Sequence, residues 1–217
     1  SGTEWAWVNG SNAPNQAGDY GVQGVPAPGN VPGARYRSVS WRDAAGNLWL
    51  FGGNGHAASG SGNLNALWKW SGSSWTWVSG SNAPNQVGVY GTIGVPAAGN
   101  IPGARMRGVS WRDASGNLWL FGGSGYATTG LGYLNDLWRW DGVNWTWAGG
   151  SSGPFQLGVY GAKGVPAAGN VPGARHGAVS WRDASGNLWL FGGYGYAASG
   201  AGYLNDLWKW DGTNWTW

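Results

Sequence analysis

Residues 39–53 read VSWRDAAGNLWLFGG and contain the clearest secondary-structure pattern of the chain. Val39 and Trp41 alternate with serine and arginine, which is the two-residue period of a half-buried β-strand. Residues 43–47, DAAGN, supply turn chemistry, because an Asp side chain bonds to nearby backbone and a Gly tolerates positive φ. Residues 48–51, LWLF, then form a second strand, so the stretch predicts a tight antiparallel hairpin.

The same stretch occurs three times at a spacing of 70 residues. VSWRD begins at Val39, Val109 and Val179, and the segment LNALWKW at residues 64–70 also returns twice with few substitutions. Self-similarity at a fixed period is the signature of a repeat architecture. We therefore expect one domain of three near-identical units.

Each unit contains two further strand segments after its first hairpin. In the first unit these are residues 67–70 and 75–77, joined by a tight turn at 71–74, and a glycine-rich loop precedes them after Gly52-Gly53. Four antiparallel strands make one propeller blade. The predicted fold is all-β, with three four-stranded antiparallel blades per chain.

These residues resemble the kelch repeat. The resemblance is carried by an Arg opening the first strand, an apolar strand ending in Gly-Gly, an Asn-Asp-Leu-Trp strand and a Trp-bearing outer strand. It implies kelch-like β-propeller blades, which we assign as blade 1 at 36–77, blade 2 at 106–147 and blade 3 at 176–217.

The segments between the blades depart from the kelch pattern, because a kelch unit is usually nearer to about 50 residues. They comprise an N-terminal segment at 1–35 and insertion loops at 78–105 and 148–175, all rich in Gly, Pro and Asn. Regular helix or strand is not expected there. Their composition is compatible with disorder, but a tyrosine and valines kept in every copy favour ordered loops anchored on the blades.

The outer strand occurs four times, whereas the other strands occur three times. Its copies are Trp5-Ala6-Trp7, Trp75-Thr76-Trp77, Trp145-Thr146-Trp147 and Trp215-Thr216-Trp217. Three blades are fewer than the four to eight of typical propellers, so open blade faces would expose Trp and Leu. We expect self-association, with Trp5, Trp7, Trp215 and Trp217 as candidate contacts. Both a homodimer closing a six-bladed ring and an open, strand-linked polymer are compatible with the sequence.

A ligand, if one binds, is expected on the face that carries the loops. Antiparallel strands place the loop after strand two and the crossover after strand four on that face, where binding residues collect on a rigid scaffold. The candidate ligand contacts are the loop tyrosines and the arginines that precede each blade: Tyr20, Tyr90, Tyr160, Tyr126, Tyr196, Tyr133, Tyr203, Arg35, Arg105 and Arg175. A glycan or a protein would suit such aromatic loops. The arginines also suit hydrogen bonds to neighbouring loop carbonyls.

Composition argues against several partners and chemistries. The twelve Lys and Arg are scattered and give a net charge of +3, so no basic stripe predicts nucleic acid binding. Cysteine is missing, which excludes disulfides, thiol nucleophiles and cysteine metal sites. No apolar run approaches the roughly 18 residues of a membrane span. Low charge and lack of Cys favour an extracellular or cell-surface location, and a removed secretion signal before Ser1 is compatible with this.

No catalytic residue, metal site or cofactor is predicted. Some kelch-type propellers resemble copper radical oxidases, which need His, Tyr and Cys, but here His56 aligns with Tyr126 and His176 aligns with Met106. The aspartates at 43, 113 and 183 each lie alone in a hairpin turn. Asp136 and Asp206 align with Ala66, which favours a hydrogen-bonding role over chemistry.

Two functional classes follow from the sequence. The first is a non-enzymatic repeat scaffold that assembles through its blades. The second is a recognition module, which binds carbohydrate or protein on the face that carries the loops. Burial separates the two, because assembly requires the aromatic surfaces to be covered by another chain.

Overall fold

A computed structural model of the protein describes residue 2 and residues 4–217. Ser1 and Thr3, which fall in the predicted N-terminal segment 1–35, lie outside the described residues. All regular secondary structure in the described part is β, in antiparallel sheets of three to five strands. The expected all-β class is therefore confirmed.

The strands fall into three groups, called here repeats 1, 2 and 3. Repeat 1 contains β1 Arg35–Tyr36, β2 Val39–Arg42, β3 Leu48–Phe51, β4 Asn54–His56, β5 Ser61–Asn63, β6 Leu67–Trp70 and β7 Trp75–Ser79. Repeat 2 contains β8 Arg105–Met106, β9 Val109–Arg112, β10 Leu118–Tyr126, β11 Leu131–Trp140 and β12 Trp145–Gly149. Repeat 3 contains β13 Arg175–His176, β14 Val179–Arg182, β15 Leu188–Tyr196, β16 Ala201–Trp210 and β17 Trp215–Thr216.

Each repeat contains the four-stranded ladder expected from its two hairpins. In repeat 1 the strand order is β2-β3-β6-β7, with Trp41 opposite Trp49 and Trp68 opposite Trp77. The turn between β2 and β3 is closed by Asp43, whose carboxylate accepts bonds from Asn47 and from the Trp49 indole. The turn residues thus fix the register of the tryptophan pairs.

The ladder continues beyond the Gly-Gly pair, where the sequence suggested only a loop. In repeat 2, β10 and β11 run on past a bulge between Phe121 and Gly123, and the short strand β8 pairs with the extended part. Gly123 has φ of 105°, and a Cβ there would lie 2.8 Å from the Met106 carbonyl oxygen. Only glycine allows both this backbone and the close approach of β8.

The insertion segments form turns and isolated bridges on the repeat that follows them. Val89 bridges Ile101 within the segment, and Ala97 bridges Trp145 of the outer strand β12. The Asn100 amide also donates to the Trp145 carbonyl at 3.1 Å. The segment therefore ties the chain before repeat 2 to the outer edge of repeat 2.

Alternation along the strands gives each four-stranded ladder two apolar faces. In β3, Trp49 and Phe51 point towards the next repeat in sequence, and Leu48 and Leu50 point away from it. We call these the forward face and the rear face. The forward faces comprise Val39, Trp41, Trp49, Phe51 and Leu67 in repeat 1, Val109, Trp111, Trp119, Phe121 and Leu137 in repeat 2, and Val179, Trp181, Trp189, Phe191 and Leu207 in repeat 3. The rear faces comprise Leu48, Leu50, Trp68, Trp70 and Trp75 in repeat 1, Leu118, Leu120, Trp138, Trp140 and Trp145 in repeat 2, and Leu188, Leu190, Trp208, Trp210 and Trp215 in repeat 3.

Candidate functional site

Two internal joints are built by the same contact of a forward face with a rear face. The forward face of repeat 1 and the rear face of repeat 2 form one buried cluster, and repeats 2 and 3 form a second in the same way. Aromatic pairs link the faces, such as Phe51 with Trp145 at 5.4 Å and Phe121 with Trp215 at 5.5 Å between ring centroids. The joint is therefore a repeated interface, in which large aromatic rings pack against aliphatic side chains and against one another.

Hydrogen bonds across the joints repeat with the same spacing. The Trp41 indole donates to the Trp119 carbonyl at 3.2 Å, and the Trp111 indole donates to the Trp189 carbonyl at 3.0 Å. The Asn65 amide likewise donates to the Pro102 carbonyl at 3.3 Å. These bonds fix the register of one repeat on the next, because each buried donor needs one particular carbonyl.

The forward face of repeat 3 is exposed, although its sequence matches the buried faces. Phe191 is 40% exposed, whereas Phe51 and Phe121 are each 1% exposed. Trp181 is 53% exposed, against 7% for Trp41. Val179 and Leu207 are also exposed. A contiguous apolar surface of this kind is typical of an interaction site.

The rear face of repeat 1 is partly open in the same way. Leu48 is 48% exposed, whereas Leu118 and Leu188 are each 2% exposed. Residues 6–10 line a cavity with Leu48, Leu50, Trp70 and Trp75, so the N-terminal segment lies beside this face. One end of the molecule thus presents a forward face and the other a rear face.

The N-terminal segment shares one hydrogen bond with the outer strands but has no sheet partner among the described residues. The Trp7 indole donates to the Asn9 carbonyl at 3.1 Å, as the Trp77 indole does to Ser79 at 3.0 Å. Trp5 is fully exposed and Trp7 largely so. Trp215, by contrast, is buried between repeats 2 and 3, and Trp217 packs against Tyr160. Of the four predicted association residues, Trp5 and Trp7 are therefore the accessible pair.

Repeats 2 and 3 each contain one buried ion pair. Arg105 contacts Asp136 through two bonds of 2.6 and 2.7 Å, and the Tyr90 hydroxyl and the Trp138 indole both donate to the same carboxylate. Arg175 and Asp206 repeat the arrangement, with Tyr160 and Trp208 as the further donors. These contacts assign four of the predicted ligand residues to bonds within the chain.

Charge and burial set the pKa values in these clusters. Burial and the nearby Asp206 carboxylate raise the pKa of Tyr160 to about 12. Burial would raise the pKa of Asp206 too, but bonds from Arg175, Tyr160 and Trp208 hold it below its ordinary value. Asp206 is therefore ionised at neutral pH and acts as an acceptor.

The remaining candidate tyrosines lie near the hairpin tips on the loop-bearing side. Tyr133 contacts His176 at 4.7 Å between ring centroids and also contacts Phe155 and Tyr196, so these rings form a cluster where repeats 2 and 3 meet. Burial and the charges of Arg107 and Arg37 lower the pKa of His176. Tyr126 is half-buried, whereas Tyr203 is 93% exposed. The sequence does not predict Phe155 and His176 as ligand contacts, because no motif marks them. Only their contact with the loop tyrosine Tyr133 places them in this cluster.

The forward face of repeat 3 also contains a groove of about 1070 Å³. Its walls include Tyr160, Trp189, Tyr203 and Trp217, with Lys209 positioned over the Trp189 ring at 5.9 Å. At the internal joints the matching surface of Trp49 and Lys69 lies against the next repeat, near Gly142. The corresponding cavity at this joint is smaller, about 350 Å³, so the groove is larger at the open face.

The described part of the chain offers little for metal chemistry or for a helical membrane anchor. Residue 2 and residues 4–217 contain no group of three or more His, Cys, Asp or Glu side chains arranged to hold a metal ion. Within the same residues, no helix is long and apolar enough to cross a membrane.

Comparison with known proteins gives no family assignment. No protein-family model matches the chain, and no curated protein matches it significantly. Functional inference therefore depends on the geometry of the faces and clusters above.

Proposed function

We propose that this chain is a non-enzymatic, kelch-like repeat scaffold whose copies associate through the forward face of repeat 3 and the rear face of repeat 1. The supporting observation is the exposure of Phe191, whose counterparts Phe51 and Phe121 are both buried at internal joints. In this proposal each repeat is a propeller blade. The joint between copies is a third instance of the joint found twice within the chain.

The internal joints specify the contacts of the proposed interface. The Trp181 indole would donate to the Trp49 carbonyl of a second copy, as Trp41 does to Trp119. The Asn205 amide would donate to the Pro32 carbonyl of a second copy, as Asn65 does to Pro102. A forward face on a rear face is a heterologous contact, which closes into a ring or propagates as a filament. Both a six-bladed homodimer and an open polymer contain this joint.

The free energies of burial and of association predict that the oligomeric state depends on protein concentration. Five side chains of the forward face and Leu48 of the rear face are partly exposed. Covering the exposed half of six such side chains contributes about 5–9 kcal/mol, at 1.5–3 kcal/mol for each full burial. Association costs about 4–15 kcal/mol in lost freedom of motion, so the two terms are of the same order. Strand pairing by Trp5-Ala6-Trp7 on the edge of a second copy would add to the favourable term.

Static light scattering over a range of concentrations tests the proposal. We expect the wild-type mass to rise to twice that of one chain or higher, because the open faces cover each other. Phe191→Glu should hold the mass at that of one chain, because it places a charge in the joint. Val143→Glu is the matched control, since Val143 is an exposed apolar residue in a turn away from both faces. A wild-type chain that stays monomeric at every concentration contradicts the proposal.

A second candidate function is recognition of a carbohydrate or a protein on the loop-bearing side. It is supported by the exposed Tyr203 ring and by the groove that Tyr203 shares with Trp189 and Trp217. Aromatic walls with polar groups at the rim suit stacking of sugar rings. A glycan array would detect this function as hits that Tyr203→Ala removes. An array without hits counts against the carbohydrate form.

A further inference from the structure

The ion-pair cluster of repeats 2 and 3 has a counterpart in repeat 1 that lacks its carboxylate. Arg35, Tyr20 and Trp68 stand where repeat 2 has Arg105, Tyr90 and Trp138, but Ala66 replaces the aspartate. Three hydrogen-bond donors therefore face a methyl group. Buried donors without an acceptor are unusual in folded proteins and point to a group that completes them.

The donors of repeat 1 keep the geometry that holds a carboxylate elsewhere. The Arg35 Nε donates to the Gly33 carbonyl at 3.0 Å, and the Arg35 Nη1 donates to the Gly52 carbonyl at 3.2 Å. The two equivalent bonds of Arg105 are 2.9 and 3.1 Å long. The Tyr20 ring lies 4.8 Å from the Trp68 ring, the same separation as between Tyr90 and Trp138. The binding geometry is therefore preformed without the aspartate.

The three donors have no partner among the described residues. These atoms are the Tyr20 hydroxyl, the Arg35 Nη2 and the Trp68 Nε1, all of them buried. In repeat 2 the corresponding three groups all donate to Asp136 Oδ2 at 2.6–2.7 Å. The donors of repeat 1 thus converge on the position of one carboxylate oxygen.

Electrostatics favour an anion at this position. Burial lowers the pKa of Arg35, whereas for Arg105 the same burial is outweighed by the Asp136 charge, which raises the pKa. A buried guanidinium without a counter-charge is unfavourable, and a charge-assisted bidentate bond relieves the penalty. Arg35 also lines the cavity on the rear face of repeat 1, beside Leu50 and Trp75.

We propose that repeat 1 binds a small monocarboxylate, the size of formate, between Arg35, Tyr20 and Trp68. One carboxylate oxygen accepts from Arg35 Nη1, and the other accepts from Arg35 Nη2, Tyr20 and Trp68. The Ala66 methyl group takes the place of the aspartate Cβ, and non-bonded carbons stay about 3.5–4.0 Å apart. The bound carboxylate therefore lies farther from this methyl group than the Asp136 carboxylate lies from its own Cβ, which favours the smallest carboxylate. All groups of this site belong to one chain.

Titration with sodium formate against sodium chloride at equal ionic strength tests the site. We expect formate to raise the melting temperature of the wild-type chain in a saturable way, because a ligand that binds only the folded state stabilises it. Ala66→Asp supplies the carboxylate from the chain itself and should abolish the formate effect. Formate labelled with ¹³C gives a second readout, as broadening of its NMR line on binding.

Arg35→Met is the companion variant, because it keeps the length of the side chain and removes the charge. Both variants should weaken formate binding at least about tenfold, which corresponds to about 1.4 kcal/mol. Acetate should bind less well than formate, since its methyl group would meet Ala66. Equal formate effects on wild type and Ala66→Asp, or no effect beyond that of chloride on wild type, would overturn the proposal. If Arg35→Met does not fold, the comparison with Ala66→Asp decides alone.

Discussion

Repeats 2 and 3 carry almost the same strands, yet their forward faces differ in exposure. Phe121 is buried against repeat 3, while Phe191 lies in the open. Sequence alternation makes both faces of each four-stranded ladder apolar, but only a neighbouring repeat buries them. Stability is therefore expected to depend on the joints between repeats as well as on each repeat, as in other repeat proteins.

Removing the same phenylalanine ring from repeat 2 and from repeat 3 should have very different effects on stability. Phe121→Ala should lower the free energy of unfolding by about 3–5 kcal/mol, because it leaves a cavity in a closed joint. Phe191→Ala should cost much less, because its ring is already partly in water. Urea unfolding at low protein concentration measures both without a contribution from association. Equal losses would show that the forward face of repeat 3 is covered in solution.

The pH dependence of stability tests the contribution of the Arg175–Asp206 ion pair in repeat 3. The pKa of Asp206 is held below the value of about 3.9 that an unfolded Asp has. Its contribution to stability is therefore complete above that value and is lost as pH falls through the lower, folded pKa. Asp206→Asn should be less stable at neutral pH and should lose less stability than wild type on acidification below about pH 4.

The control for this acid effect is Asp211→Asn, which removes one carboxylate from an exposed turn of the same repeat. Thermal unfolding between neutral pH and pH 2 compares the three proteins. A wild-type curve parallel to that of Asp206→Asn would rule out a stabilising role for the Arg175–Asp206 pair.

The sequence predicts the strands of the four-stranded ladders well. The expected strand 48–51 coincides with β3, and 67–70 coincides with β6, since alternating tryptophans and defined turns set both ends. The extension beyond Gly-Gly was not predicted, because glycine has no side chain to display a period. The short strands β1, β8 and β13 were missed for a related reason, since two residues are too few to show alternation.

The candidate site was predictable only in part. Apolar alternation and the surplus outer strand indicate open faces from the sequence alone. The link between Arg105 and Asp136 was not predictable, because the two residues are distant in sequence and no local pattern connects them. The sequence shows that Ala66 replaces an aspartate of the other repeats. It does not show that this leaves the buried donors of Arg35 and Tyr20 without an acceptor, because their convergence is seen only in the structure.

Mixing two variants that each block one face measures the proposed joint directly. Phe191→Glu blocks the forward face of repeat 3, and Leu48→Glu blocks the rear face of repeat 1. Each variant alone should have the mass of one chain by light scattering, and an equimolar mixture should contain a complex of twice that mass, because each supplies the face that the other lacks. A mixture that remains at the mass of one chain would contradict the joint, as would either variant associating alone as the wild type does.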